Sequence, residues 1–379
     1  MSHSLTILLY IFIVGCSTAL AFSSQSIQAV NQKNVVKKFR KAPFVLSGLI
    51  AWFFVAFTNI GVDYPNYYYI IEQESWDTFD SIATVEPGFG LLCVVIKQLI
   101  STDADVVILI LKTMIIVLMF FAFYSLREKI VLGYAVAAFM MLAYLPSFYL
   151  ISMMLATAIV YFSIACYIKN DKISLPLLLT ILAAQIHNSA YLFLLVLIAL
   201  FMLERIAKLT TITKASIVVV YSIAIILSGK IYSFAGKFIS GFHYSHYGNN
   251  NFSGSGLMVV VLYVPLALIL YETYKYNISS KQKNCLFVFV LSSLLFNILS
   301  YRFKVIERME FFFLPLYILF IPNVFLDTNI IKFNRGNRYK SLVWVIYICY
   351  LLLRGFLVFK ERTSIGSGMS EYSFFNPFL

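Results

Sequence analysis

The sequence predicts an all-α polytopic membrane protein, and three observations carry that prediction. Hydrophobic residues make up 61% of the chain and charged residues only 12%, with a mean hydropathy of +0.86, whereas globular domains hold about 25% charged residues. The apolar residues gather into runs long enough to cross a bilayer. The basic residues fall in short clusters between those runs. All 379 residues are expected in one integral membrane domain with no soluble module.

A hydrocarbon core of about 30 Å needs roughly 20 apolar helical residues, fewer where flanking side chains snorkel. By that measure spans are expected near 4–22, 42–60, 104–126, 130–146, 148–168, 173–187, 189–203, 215–231, 257–274, 285–300, 311–326 and 341–358, about 12 helices in all. The first span is expected to be retained. Ile13-Val14-Gly15-Cys16 loosely resembles a lipoprotein cleavage site, but no Lys or Arg precedes it, as a signal peptide requires.

The net charge of +12 comes from clusters at 33–41, 127–129, 169–172, 205–214, 275–283 and 332–340. These occupy alternate loops, which places them on the cytoplasmic side. Their scatter excludes a nucleic-acid face. The opposite, external side then holds residues 61–86, the turn at His187, a loop at 232–256, the segment 301–308 and both termini. One apolar run, 89–100, breaks the alternation and is too short to cross. It is expected as a re-entrant or interfacial helix within an external segment spanning 61–103, its non-helical backbone tolerated because it faces a cavity. The five cysteines lie in apolar segments without paired spacing, so neither a disulfide framework nor a metal site is expected.

Residues 61–86 hold six carboxylates and no Lys or Arg, about a third of the 17 acidic residues of the whole chain. An aromatic belt explains the tyrosines there but not the acid, and the combination suits a neutral, hydroxyl-rich substrate. In Gly61-Val62-Asp63-Tyr64-Pro65-Asn66-Tyr67, Asp63 and Asn66 offer hydrogen-bonding groups, and Tyr64 and Tyr67 offer faces that stack on sugar rings. Glu86 precedes Pro87-Gly88 at the entry of the short helix. A helix N-terminus favours its ionised form, as pure entry chemistry or as part of a site. His187, in Gln185-Ile186-His187-Asn188-Ser189, is a turn residue, a phosphate ligand or a proton shuttle.

The segment Tyr301 to Glu310 sets Arg302, Lys304 and Arg308 on the external side, against the positive-inside bias. Arginine forks match phosphate oxygens, so Arg302 and Arg308 are candidate holders of a diphosphate. Glu307 is counted with the substrate-binding residues, or with Glu310 neutralises the cations. His243 and His246 sit in the 232–256 loop and are too few for a zinc set. No glycine-rich nucleotide loop is present, and no cofactor is expected.

Taken in order, Gly61-Val62-Asp63-Tyr64-Pro65-Asn66-Tyr67, Glu86-Pro87-Gly88-Phe89, Ile186-His187-Asn188-Ser189 and Arg308 before Phe311-Phe312-Phe313 resemble the landmarks of the EpsG-type branch of the Wzy-like polysaccharide polymerases. The chain departs from that pattern twice. Residues 55–59 lack the arginine that family members often carry before G-x-D-Y, and Ser152-Met153-Met154 stands where a later span carries an Arg-Gln pair. This throws weight onto Arg302 and Arg308, or sets the chain in a divergent group with another lipid-linked substrate.

The resemblance implies a GT-C-like architecture in the bacterial inner membrane, with the active face external or periplasmic. It implies glycosyl transfer between oligosaccharide units on undecaprenyl diphosphate, giving O-antigen, capsule or exopolysaccharide. A chain-length regulator and a flippase are the expected protein partners. Under this reading Asp63 or Glu86 is the base, Arg308, Arg302 and His187 hold the diphosphate, and Tyr64, Asn66 and Tyr67 position sugars. A flippase for the same lipid-linked unit is the alternative, for which Lys97 and Lys112 inside apolar runs are the relevant residues. A membrane acyltransferase is a third option that nothing else in the sequence supports.

Overall fold

The computed structural model describes residues 1–31, 34–73, 86–169, 173–205, 280–300, 310–313, 338–364 and 368–375, with isolated positions at 216, 219, 220 and 223. In chain order it forms α1 (His3–Ser23), strands β1 (Gln25–Asn31) and β2 (Asn34–Phe39), α2 (Lys41–Ala56), α3 (Tyr64–Gln73), α4 (Pro87–Leu99), α5 (Ala104–Ser125) and α6 (Leu132–Leu142). There follow a 3-10 turn (Leu145–Phe148), α7 (Ile151–Lys169), α8 (Ser174–Ile186), a 3-10 turn (Asn188–Ala190), α9 (Tyr191–Arg205), α10 (Ser280–Ser300), α11 (Glu310–Phe313) and α12 (Arg338–Arg362).

The expected spans and these helices coincide to within a few residues. Three of the described helices, α1, α5 and α7, are long and apolar enough to cross a membrane by length and composition. The expected spans at 215–231 and 257–274, most of 311–326, and the 232–256 loop with His243 and His246 lie outside the described residues. The span expected at 130–146 ends early, at α6. Pro146 then enforces a tight turn, because it lacks the backbone N–H that a continuing helix needs.

The described chain is helical apart from one hairpin, which occupies the basic 33–41 loop. Its antiparallel register pairs Gln25 with Phe39 and Ile27 with Lys37. Counting apolar runs has no criterion for strands this short, although β-branched Ile27, Val30, Val35 and Val36 suit a pleated ribbon.

Helix α7 is the centre of the bundle, almost wholly buried between α5 on one side and α8 on the other. Its sequence alternates large apolar residues with Ser, Ala and Thr, which let helix backbones approach closely without water. Ser163 reaches across to α8, where its Oγ lies 2.8 Å from the Pro176 carbonyl and 3.1 Å from Thr180 Oγ1. Helices α1 and α2 are clasped reciprocally: Ser17 Oγ donates to the Ser47 carbonyl at 3.1 Å and Ser47 Oγ to the Ser17 carbonyl at 2.7 Å.

The contacts sort the loops into two ends. At one end, Gln25 Nε2 donates to the carbonyls of Arg127 and Ile130 at 2.7 and 3.2 Å. Lys129 Nζ donates to the Ile168 carbonyl at 2.9 Å. Three basic loops thereby meet. At the other end, the N-terminal amine donates to the Tyr372 carbonyl at 3.0 Å, and Tyr372 Oη to the Phe54 carbonyl at 2.8 Å. Gly61 N donates to the Gly368 carbonyl at 2.9 Å. The chain's last described stretch thus straps the start of α1 and the end of α2 onto the turn before α3. Helix α4 has 13 residues and a length of about 20 Å, short of the bilayer core.

Candidate functional site

The site begins with a turn that only glycine permits. Gly61 has φ +112°, and a Cβ built there would lie 2.3 Å from Tyr149 Cβ. Turning here directs the chain into α3, whose first turn is closed by Tyr64 N on the Gly61 carbonyl (3.1 Å) and Tyr67 N on the Asp63 carbonyl (3.0 Å). The side chains of Tyr64 and Tyr67 therefore lie about one helical turn apart and enter two polar clusters.

Tyr64 Oη donates to Asp105 at the N-terminus of α5, and Asp105 N is capped by Asp103 at 2.8 Å. One face of the Tyr64 ring lies 5.0 Å from Lys112 Nζ. Lys112 is fully buried and donates to the Thr58 carbonyl at 2.6 Å. Burial, then the hydrogen bond to Asp105, pushes the Tyr64 phenol well above its ordinary range. The cluster braces both sides of the Gly61 turn, with Thr58 before it and Tyr64 after it. Lys97 acts similarly at the far end of α3, donating to the carbonyls of Ile71 and Glu72 at 2.9 and 3.2 Å, where a cation complements the helix terminus.

The second cluster joins residues that the sequence spreads over more than a hundred positions. Tyr67 Oη lies 3.0 Å from Ser152 Oγ and accepts from Ser152 N at 3.3 Å. Ser152 Oγ lies 3.4 Å from His187 Nδ1. His187 Nδ1 pairs with the Glu86 carboxylate. Ser152 and His187 are buried, at 2% and 4% exposure, and the Glu86 side chain keeps 15%. Edge-on contact with Phe89, 5.8 Å between ring centroids, holds the Tyr67 ring. Burial, then the nearby Glu86 carboxylate, raises the Tyr67 phenol, so Tyr67 serves as a neutral hydroxyl.

Local sequence explains how the four meet. Gly88 lets the first turn of α4 lie directly on the end of α8: a Cβ there would stand 2.6 Å from Gln185 Cβ and 2.9 Å from the Gln185 carbonyl carbon and oxygen. Two residues on, α8 stops at His187, whose extended backbone (φ −148°, ψ 119°) turns the imidazole away from the helix axis. Glu86 occupies the N-cap position of α4 but makes no side-chain cap. Of the two readings of Glu86, helix entry or part of a site, its side chain makes the bond to His187 and no cap.

Of the residues singled out in the sequence, the structure brings together Tyr67, Glu86 and His187, and sets Tyr64 in the adjoining cluster. Asp63 is half-buried at the start of α3, close enough for its charge to raise the Tyr67 phenol further. Asn66 is exposed. Arg302, Glu307 and Arg308 lie outside the described residues. The helix that follows them, α11, packs against α7 and α10, its Phe312 and Phe313 fully buried against Phe193. Two members of the clusters are not legible as site residues from sequence. Ser152 stands out only as a departure from the family pattern, and Asp105 only as one of two aspartates before a span.

Residues 41–374 match the model of the EpsG family. No curated protein and no solved structure matches the chain.

Proposed function

The chain belongs to the EpsG family, a Wzy-like polysaccharide polymerase family, and from that premise we propose that it joins lipid-linked oligosaccharide repeat units into a surface polysaccharide such as O-antigen. The donor and acceptor are carried on undecaprenyl diphosphate. The reaction takes place at the external face of the bacterial inner membrane, in a GT-C-like bundle of about 12 spans with α4 as a re-entrant helix in the external 61–103 segment. A flippase supplies the units, and a chain-length regulator sets how many are joined.

The observation that carries this reading is the convergence of Tyr67, Glu86 and His187, one from each of three separated motifs, on one buried network. In the reaction an acceptor hydroxyl attacks the anomeric carbon of the donor while the lipid diphosphate leaves. Such a step needs a proton acceptor for the hydroxyl and cations for the growing negative charge on the leaving group. Asp63, Glu86 and His187 supply the carboxylates and imidazole, Arg308 and Arg302 the cations, and Tyr64, Asn66, Tyr67 and Glu307 the contacts to sugar.

The test is the surface polysaccharide profile of a deletion strain carrying the wild-type gene or Arg308→Ala. A ladder that collapses to one repeat unit in the deletion strain, and is restored by wild type but not by the variant, is the expected result. An unchanged ladder overturns the polymerase reading. Loss of even the single unit favours the flippase instead.

A further inference from the structure

We infer that His187 is the base of the proposed transfer, acting through Nε2, and that Glu86 is the positioning residue that holds it in the required tautomer. The inference rests on the polymerase reading. It differs from the sequence-based assignment, in which a carboxylate takes the proton and the histidine holds the diphosphate.

The geometry decides between those roles. Both polar contacts of the imidazole fall on one nitrogen: Nδ1 meets the Glu86 carboxylate and, at 3.4 Å, Ser152 Oγ. An ionised carboxylate accepts only, so Nδ1 carries the hydrogen, and in the neutral imidazole the lone pair is then on Nε2. Nε2 is itself buried and, among the described residues, has no hydrogen-bond partner. Buried polar atoms almost always find a partner, and an exception calls for an explanation; here, at the meeting point of three motifs, that explanation is a reacting group that completes the bond. A hydroxyl supplies what a bare imidazole nitrogen accepts. A diphosphate oxygen, which has no hydrogen to give, would instead need the imidazolium.

Among the described residues, the titratable groups set against the imidazole are Glu86 at the entry of α4 and, across the neutral Ser152 of α7, Tyr67 of α3. Gln185 on α8 and Tyr191 on α9 bond to each other alongside.

The step balances without a further reagent. The acceptor O–H proton passes to Nε2 as the oxygen forms its bond to the anomeric carbon. The bond from that carbon to the diphosphate oxygen breaks, and the lipid diphosphate leaves with the electron pair. The imidazolium so formed lies against the Glu86 carboxylate and later returns its proton to solvent.

The experiment uses the purified full-length protein in liposomes, with lipid-linked repeat units extracted from a strain lacking this gene, and follows polymer formation against pH at saturating donor. Followed between about pH 5 and 8, the wild-type rate is expected to rise with pH, because only a neutral imidazole takes a proton. His187→Gln lowers the rate by about 10²- to 10⁴-fold, the usual contribution of general base catalysis, and flattens the profile. Glu86→Gln keeps the shape of the partner but not its charge. Its rate falls by at least about tenfold, as for a mis-set tautomer.

A wild-type rate that falls as pH rises through this range would mean that protonated His187 binds the diphosphate, and overturns the inference while polymerisation stands. A His187→Gln protein with the wild-type rate and profile also overturns it. If wild type makes no polymer from these units, the polymerase reading fails and the inference with it.

Discussion

Replacing Gly88 by alanine adds one methyl group in the first turn of α4, and the structure gives that atom no room. The new carbon would stand 2.6 Å from Gln185 Cβ and 2.9 Å from the Gln185 carbonyl carbon and oxygen. Ordinary carbon contacts lie at about 3.5–4.0 Å. Two of the three obstructing atoms are backbone, so no rotamer change relieves the clash, and the start of α4 must withdraw from α8 by about 1 Å to restore normal contact. Overpacking of this kind costs about 1–3 kcal/mol, and the bundle keeps many other contacts, so the protein should still accumulate in the membrane.

Activity suffers more than stability. Glu86 lies two residues before Gly88, and His187 two residues after Gln185, so the same displacement opens the Glu86–His187 contact directly. A misplacement of 1 Å in a reacting constellation costs about 10²-fold in rate. The assay is polymer length on a gel, in a deletion strain complemented with Gly88→Ala, beside an immunoblot of membrane fractions. Gly15→Ala is the matched control. A Cβ at Gly15 in α1 meets nothing within 4 Å, and alanine is the better helix former by about 1 kcal/mol. A Gly88→Ala strain with a full-length ladder would refute the argument, since the close approach would then have no bearing on the site.

Two further substitutions probe the clusters. Ser152→Ala removes the hydroxyl that lies 3.0 Å from Tyr67 Oη and 3.4 Å from His187 Nδ1; the loss of about 1 kcal/mol of bracing should lower the polymer-forming rate by about fivefold, with membrane abundance unchanged on immunoblot. Lys112→Met keeps an apolar stem of similar length but strands the buried Thr58 carbonyl, which accepts from Nζ at 2.6 Å; a penalty of about 1–3 kcal/mol should appear as a lower melting temperature of the detergent-purified protein, measured by intrinsic fluorescence.

Much of the fold is legible in the chain because the bilayer imposes a length on apolar runs. The expected limits 104–126 and 148–168 recur as Ala104–Ser125 and Ile151–Lys169, and the short run at 89–100 recurs as Pro87–Leu99. The contacts of Gln25 and Lys129 join the start of the hairpin, the turn at 127–130 and the end of α7. The hairpin at Gln25–Phe39 is not legible this way, because its pairing depends on a register between two short strands and not on one run's hydropathy.

The site is legible only in part. Tyr67, Glu86 and His187 stand out as polar groups where polarity is costly, and the sequence by itself determines that they flank apolar helices at turns marked by glycine, proline or a helix stop. It does not determine that Glu86 faces His187 instead of capping its own helix, nor that Ser152 lies between His187 and Tyr67. Those pairings link α3, α4, α7 and α8, and they exist because Gly88 lets α4 touch α8 and because α7 runs through the centre of the bundle. Composition and periodicity act along one chain segment at a time. Which nitrogen of His187 is occupied, and which is left open, is decided only where four segments meet.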